Sequence, residues 1–178
     1  MLQLDPAQLP QATRELRLQV REFLAQHMPK DHRLNSDFTS GYNPEFSQLL
    51  GAQGWLGMTW PQQYGGHQRS FLERYVVTEE LLASGAPVTA HWISDRQTGP
   101  LLLKFGSEQQ REKYLPEICA GRCFFSIGMS EPNAGSDLAA IRTTATPTEG
   151  GWLLNGTKLW SSGAHLNHFM IALVRTAP

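Results

Sequence analysis

The feature that most constrains the fold is a change of pattern near Gly121. Before it, apolar residues recur every three or four positions, which is typical of helices packed along one face. After it, short runs of β-branched and aromatic residues alternate with turn-forming residues, which is typical of strands. The sequence therefore predicts an α+β chain: an N-terminal all-α helical bundle over residues 1–121, followed by an incomplete antiparallel β domain over residues 122–178.

The helical part is divided by proline, glycine and capping residues. Asn43-Pro44 is a helix start, because Asn caps the first turn and Pro fits within it. The predicted helices cover residues 10–29, 43–54, 70–83, 88–105 and 107–121. The side chains expected to face the core are Leu16, Val20, Phe23, Leu24, Phe46, Leu49, Leu50, Phe71, Leu72, Tyr75, Val76 and either Leu81 or Leu82. Residues 54–66 are rich in aromatic residues and glycine, which predicts a packed loop.

The β part contains one strong local signal. Asn155-Gly156 lies between two apolar-aromatic runs, which predicts a hairpin with a type I′ turn over residues 152–160. Further strands are predicted at 124–129, 141–146 and 169–174. The last strand has no closing element, so we expect that the sheet is completed by more chain or by a partner.

Composition excludes several classes of protein. The net charge is −1, without a basic cluster, which argues against nucleic-acid binding. No apolar run approaches the ~18 residues of a membrane span, and the N-terminus does not resemble a signal peptide. The two cysteines, Cys119 and Cys123, are interpreted as buried thiols in a cytoplasmic protein. His165 and His168 lack further ligands nearby in sequence, so no metal site is predicted.

The best candidate for chemistry is the segment Gly128–Asp137, between two predicted strands. Gly135 allows a positive φ, which would let neighbouring amides point at one anion. Ser130, Asn133 and Ser136 add polar side chains. Such a loop suits a pyrophosphate or the polar edge of a ring cofactor, or it is a plain connecting turn. Glu131 and Asp137 are interpreted as acceptors that fix the turn.

This segment resembles the first signature of the acyl-CoA dehydrogenase family, in which an apolar residue and Ser or Thr precede Glu-Pro, two small residues and Gly-Ser-Asp. Three further motifs agree in order and together extend the resemblance over most of the chain. They are the loop from Trp55 to Gly66, the stretch from Phe105 to Pro116, and the run Asn155–Trp160.

The resemblance implies a cofactor, FAD, and roles for particular residues. The residues expected to contact FAD are Ile127, Met129, Ser130, Gly135, Ser136, Trp160, Ser161 and Ser162. Ser136 would also touch the acyl-CoA substrate. The family more often has an aliphatic residue and Thr where this chain has Ser161 and Ser162. A hairpin Trp such as Trp160 is otherwise interpreted as a core residue.

The implied reaction removes an α-proton and a β-hydride from an acyl-CoA and leaves a trans-2-enoyl-CoA, as in fatty acid metabolism. No residue matches the family's catalytic glutamate, so we expect the base in a C-terminal helical domain that is absent here, and an inactive segment. The implied partners are an electron-transfer flavoprotein-type acceptor and further copies in a homo-oligomer. An acyl-CoA oxidase, a flavin monooxygenase of the same fold, or a non-catalytic short subunit remain alternatives.

One helix carries charge among apolar residues. Asp95 and Arg96 are interpreted as a solvated face or a structural ion pair. A second hypothesis is that His91 or Arg96 lines the acyl pocket.

Overall fold

The computed structural model describes residues 9–29 and 41–177. The α+β architecture is confirmed, with helices first and a small β part after them. The helices are α1 (Gln11–His27), α2 (Pro44–Ala52), α3 (Phe71–Ala83), α4 (Thr89–Ile93), α5 (Gly99–Phe105) and α6 (Glu108–Cys119). The strands are β1 (Phe125–Gly128), β2 (Thr144–Thr148), β3 (Gly151–Asn155) and β4 (Phe169–Ala172). None of these described helices is both long and apolar enough to cross a membrane.

Helix starts follow the capping residues. The Asn43 side chain accepts the Phe46 N–H at 2.8 Å, and Pro44 occupies the first turn of α2. Ser70 and Glu73 form a complete capping box on α3, and Ser107 with Gln110 does the same on α6. These reciprocal bonds satisfy backbone N–H groups that a helix leaves unpaired at its N-terminus.

The helical core has two clusters. The first joins α1, α2, α3 and the loop after α2 through residues such as Val20, Phe46, Leu50, Trp55 and Val76. The second packs Trp60 and Tyr64 of the loop against α6 and Phe125 of β1. The packed loop predicted over residues 54–66 is therefore confirmed, and it bridges the helices to the β part.

Some expected core positions are wrong. Leu49 is exposed on α2, and Phe71, Leu72 and Tyr75 are exposed on α3, with Phe71 at 75%. The side of α3 that packs carries Val76, Val77, Glu80 and Leu81 instead. Its polar member, Glu80, is paired with Arg17 and Arg21 of α1, both at 2.7 Å, so a carboxylate takes a core position. Apolar periodicity alone does not identify such a face.

The predicted helix over residues 88–105 contains one turn of π-helix, Ser94–Thr98, between α4 and α5. Its polar residues bond to other elements: Asp95 accepts the Gly57 N–H at 2.8 Å, and the Ser94 hydroxyl accepts the Phe125 N–H at 2.8 Å. Asp95 and Arg96 form the expected structural ion pair at 3.0 Å. The π turn thus anchors both the loop and β1.

The strand pairing differs from the expectation in two ways. β2 and β3 are antiparallel, but β1 and β4 are parallel, with Ile127 opposite Ile171. The β2–β3 turn falls at Glu149 and Gly150, since Thr148 pairs with Gly151. The hairpin predicted at Asn155-Gly156 is therefore wrong: this dipeptide ends β3, and the position of a Gly156 Cβ would lie 2.3 Å from the Thr143 hydroxyl. Glu149-Gly150 supplies the turn instead, with Gly150 at φ +80°.

Candidate functional site

Two segments far apart in sequence meet beside β1. The loop Met129–Asp137 follows β1, and residues 157–162 follow β3. The Leu159 N–H donates to the Ser130 carbonyl at 2.9 Å, and the Lys158 ammonium donates to the Met129 carbonyl at 3.1 Å. The two segments expected to carry a cofactor site are thus joined by direct hydrogen bonds.

The loop is closed by its own backbone. The Glu131 N–H donates to the Ala134 carbonyl at 2.7 Å, and the Ala134 N–H returns to the Glu131 carbonyl at 3.1 Å. Beyond this turn, Gly135, Ser136 and Asp137 are exposed. Glu131 is an acceptor as expected, but its carboxylate fixes the loop to the entry of β2, not the turn itself: it accepts the N–H groups of Arg142 and Thr143 at 2.6 and 2.9 Å. Asp137 makes no such capping bond to the adjacent 3-10 helix.

Gly135 does not use the conformational freedom of a glycine. Its φ is not in the positive region that a glycine allows, so the neighbouring amides are not directed by a left-handed turn here. Apart from Gly135 and its two chain neighbours, no heavy atom of the described residues lies within 4 Å of the place a Cβ would occupy. The backbone at Gly135 therefore faces open space.

The non-glycine residue with unusual backbone in this site is Trp160, at φ +58°. Its side chain is 86% exposed, so it is not a core residue. A left-handed conformation costs free energy for a residue with a Cβ, and it persists where the surrounding bonds determine it. The next residue, Ser161, has a buried hydroxyl without a hydrogen-bond partner among the described residues. Ser162 is exposed, and its N–H closes a turn to the Trp160 carbonyl at 3.1 Å.

An apolar cavity of about 340 Å³ lies next to these segments, between β1, β4 and the helix after the π turn. Ile127 of β1 and Met129, which follows β1, line one side, and Gln97 and Leu101 of the helical part line the other. Neither His91 nor Arg96 is among the lining residues. The His91 ring is instead buried and 2.9 Å from the Ser47 hydroxyl; that His91 or Arg96 lines the acyl pocket stays a hypothesis.

Electrostatics centre on Glu131. The Lys158 ammonium at 2.8 Å, with hydrogen bonds from Thr143 and Arg142, lowers the pKa of the Glu131 carboxyl to about 2. By contrast, burial raises the pKa of the Cys119 and Cys123 thiols, to about 12 and 11. Both cysteines are buried and free, as expected, and are not reactive thiolates. No group of three or more His, Cys, Asp or Glu side chains suited to a metal occurs in the described ranges.

These features fit a flat, polar-edged cofactor better than a plain turn. An exposed indole offers a surface for stacking, an unpartnered hydroxyl follows it, and the room above Gly135 permits close approach to backbone. Sequence reasoning assigned no separate role to Lys158, whose ammonium joins both segments. The sequence feature that could have indicated this role is that Lys158 is a single charged residue in a stretch of uncharged residues.

Comparison with known proteins gives the same family for both parts of the chain. The family description "Acyl-CoA dehydrogenase, N-terminal domain" matches residues 10–122, and "Acyl-CoA dehydrogenase, middle domain" matches residues 126–178. Acyl-CoA dehydrogenase FadE26 of Mycobacterium tuberculosis is 35% identical over 92% of this chain and 42% of its own length.

Solved structures agree. The structure described as the Tcur3481-Tcur3483 steroid ACAD has a TM-score of 0.86 and 36% identity, over 96% of this chain and 45% of that chain. A glutaryl-CoA dehydrogenase from Mycobacterium smegmatis in complex with FADH2 has a TM-score of 0.72 and 29% identity, over 93% and 42%. This chain spans less than half the length of these relatives. It belongs to the acyl-CoA dehydrogenase family.

Proposed function

We propose that this chain forms the flavin-facing part of an FAD-dependent acyl-CoA dehydrogenase that converts an acyl-CoA thioester to the trans-2-enoyl-CoA. The observation that carries the proposal is the joint between Ser130 and Leu159, which brings the Met129–Asp137 loop beside Trp160. Family membership supplies the reaction class, and the related glutaryl-CoA dehydrogenase bound to FADH2 supports the cofactor.

Residues on both sides of the joint are proposed to hold FAD. Trp160 offers its exposed ring for packing, and Ser130, Ser161 and Ser162 offer hydroxyls or amides for the polar edge. Gly135 and Ser136 lie in open, exposed backbone that suits a pyrophosphate. FAD supplies a two-electron acceptor for the β-hydride, and hydrogen bonds from the protein favour its reduced form.

The substrate is proposed to lie against the same region. Ser136 is exposed beside the loop and would touch the acyl-CoA. Ile127 and Met129 are proposed to line the flavin, and the apolar cavity beside them suits the acyl group, because apolar walls exclude water from it. A relative described as a steroid ACAD makes a bulky acyl group a reasonable first substrate to test.

The base, assembly and location are further parts of the proposal. No described residue is proposed to remove the α-proton; a carboxylate outside residues 1–178 is expected to do so, and the segment alone is proposed to be inactive.

We propose a helical domain over 1–121 and part of a β domain over 122–178. The proposed partners are an electron-transfer flavoprotein-type acceptor and further copies of the chain in a homo-oligomer. The two cysteines are free and buried, which supports the proposal of a cytoplasmic location.

The test compares the purified 178-residue chain with a version extended to roughly twice that length. Each protein is titrated with FAD, and binding is measured by the change in flavin fluorescence. The expected result is weak binding by the first and tight binding by the second. Anaerobic addition of acyl-CoA to the extended protein is then expected to bleach the flavin absorbance. No bleaching by any straight, branched or polycyclic acyl-CoA would refute the reaction.

A second measurement separates the alternatives of the same fold. Rapid oxygen consumption during turnover would indicate an oxidase or monooxygenase, whereas a dehydrogenase requires an added electron acceptor. Trp160→Ala is expected to weaken FAD binding. The matched control is Trp152→Ala, which removes an exposed tryptophan outside the joint and is expected to leave FAD binding unchanged. Equal affinity of both variants would contradict the assigned flavin surface.

A further inference from the structure

An ion pair at the joint is more buried than the segments it connects. The side chains of Lys158 and Glu131 are 9% and 7% exposed, and their charged atoms are 2.8 Å apart. The neighbouring residue on one side, Ser130, is half-buried, and Trp160 on the other is exposed. Charged side chains at this level of burial are rare unless each is fully paired.

Both members of this pair have additional bonds. The Lys158 ammonium also donates to the Met129 carbonyl at 3.1 Å, so one cation holds two points of the loop. The Glu131 carboxylate also accepts the backbone N–H groups of Arg142 and Thr143, at 2.6 and 2.9 Å. The pair therefore ties together three separate stretches: the loop, the entry to β2, and the segment that leads to Trp160.

The Lys158 stem packs closely against Gly128 at the end of β1. At Gly128, a Cβ would lie 2.7 Å from the Met170 sulfur and 3.4 Å from Cγ of Lys158. The absence of a side chain at Gly128 thus lets the Lys158 stem lie along the end of β1. From there the ammonium reaches the loop carbonyl and carboxylate together.

We propose that Lys158 and Glu131 are positioning residues: they hold the Met129–Asp137 loop and Trp160 in the arrangement that receives the flavin, without touching it. This inference rests on the proposed function, and it names the elements that preorganise that site. Preorganisation lowers the entropic cost of binding, because the ligand does not have to order these segments itself. Loss of Lys158 would leave the Glu131 carboxylate buried without its cation, and the Met129 carbonyl without that donor.

The matched experiment compares Lys158→Met with Arg122→Met. Methionine keeps an unbranched stem, and the Arg122–Glu117 pair has a similar 2.7 Å contact but is exposed and away from the joint. Both variants of the 178-residue chain are titrated with FAD and followed by amide hydrogen exchange. Lys158→Met is expected to weaken FAD binding by ~10-fold or more and to raise exchange at Arg142, Thr143 and Leu159, as expected for loss of a charged hydrogen bond. Arg122→Met is expected to change neither.

Two further variants separate positioning from simple charge pairing. Lys158→Arg keeps a donor and is expected to recover part of the affinity. The reversed pair Glu131→Lys/Lys158→Glu restores opposite charges but leaves the Arg142 and Thr143 amides without an acceptor, so it is expected to recover none. Full recovery by the reversed pair would overturn the proposal.

The exchange measurement also separates this inference from the proposed function. If the wild-type chain does not bind FAD, the exchange of Arg142, Thr143 and Leu159 in Lys158→Met still decides whether the pair orders the joint. Unchanged exchange with unchanged circular dichroism would overturn the positioning role, whatever the cofactor. If the wild-type chain does bind FAD, raised exchange in Lys158→Met together with an unchanged FAD affinity would overturn the positioning role too.

Discussion

The helical and β parts of the chain are held together by different means. The described helical residues, 11–29 and 41–119, form one apolar cluster and most of a second, which also includes Cys123 and Phe125; Phe46 and Leu50 are almost fully enclosed. In the β2–β3 ribbon, Trp152, Leu153 and Leu154 are 57%, 62% and 59% exposed, and the joint beside it is ordered by hydrogen bonds and one ion pair. The candidate site thus lies where the chain has little core of its own. Such apolar surface is typical of regions that contact a ligand or another polypeptide.

The largest test of this contrast is truncation of a helical core residue. Phe46→Ala removes a side chain that is 2% exposed and contacts Phe23 at a ring distance of 5.9 Å. The expected loss is about 3–5 kcal/mol of unfolding free energy, from lost burial and the cavity left behind. Urea denaturation measures it.

Phe71→Ala is the matched control, because the same residue type on α3 is 75% exposed. Its expected effect is within about 0.5 kcal/mol. A loss comparable to that of Phe46→Ala would mean that the exposed side of α3 is covered in solution.

A second test compares two paired carboxylates, Glu80 and Glu131. Glu80 links α3 to α1 through Arg17 and Arg21, whereas Glu131 links stretches within the β part. Glu80→Gln is expected to lower the global stability by about 1.5–3 kcal/mol, since each bond to a charged group is lost or weakened. Glu131→Gln is expected to raise amide exchange near the joint without moving the cooperative transition of the helices. A shift of that transition by Glu131→Gln would show one cooperative unit, and the contrast would fail.

The third test uses pH. Burial lowers the pKa of His91 to about 3, so the folded state disfavours the proton that the unfolded chain takes up below about pH 6.5. The stabilisation is complete above that pH and is lost as the pH falls from 6.5 toward 3, by about 2 kcal/mol between pH 6.5 and 5. His91→Gln is expected to remove this dependence in urea titrations at the two pH values. An unchanged difference between them would contradict the assignment to His91.

The β part is expected to respond in a lower window. The pKa of Glu131 lies below its usual value, at about 2, so its contribution is present above about pH 4.5 and lost as the pH falls toward 2. Region-resolved hydrogen exchange at pH 7, 5 and 3.5, corrected for the intrinsic rate, is therefore expected to show the helices loosening first. Loosening of the joint between pH 6.5 and 5 would reverse the expected order.

Local signals in the sequence predicted much of the fold because local bonds determine those features. Asn43 caps α2 as expected, a helix begins at Ser107 as expected, and the change from helix to strand falls between Cys119 and Phe125. The meeting of the Ser130 and Leu159 segments followed from motif resemblance and not from periodicity. Spacing alone carries no information about contacts across 29 residues.

The errors have a common cause: alternative turns and strand pairings compete, and one stretch of sequence does not show which of them is adopted. Asn155-Gly156 is a strong turn signal, but Glu149-Gly150 lets β3 pair with β2 and leaves Lys158 free to reach Glu131. The parallel β1–β4 pair joins strands more than 40 residues apart, as their register from Phe125 with Phe169 shows. Gly135 allows a left-handed backbone but does not adopt one, and the left-handed residue in the joint is Trp160.

The smallest expected effect concerns the ribbon surface. Leu153 is 62% exposed and pairs across the ribbon with Thr146. Leu153→Thr keeps a residue that favours strands and forms a Thr–Thr pair, so the unfolding free energy is expected to change by less than about 0.5 kcal/mol. If this surface contacts another polypeptide, the same change lowers self-association or subunit binding, as sedimentation velocity would measure. A stability loss above about 1 kcal/mol would mean that Leu153 is already buried within the isolated chain, and the β part would then have a core of its own, like the helices.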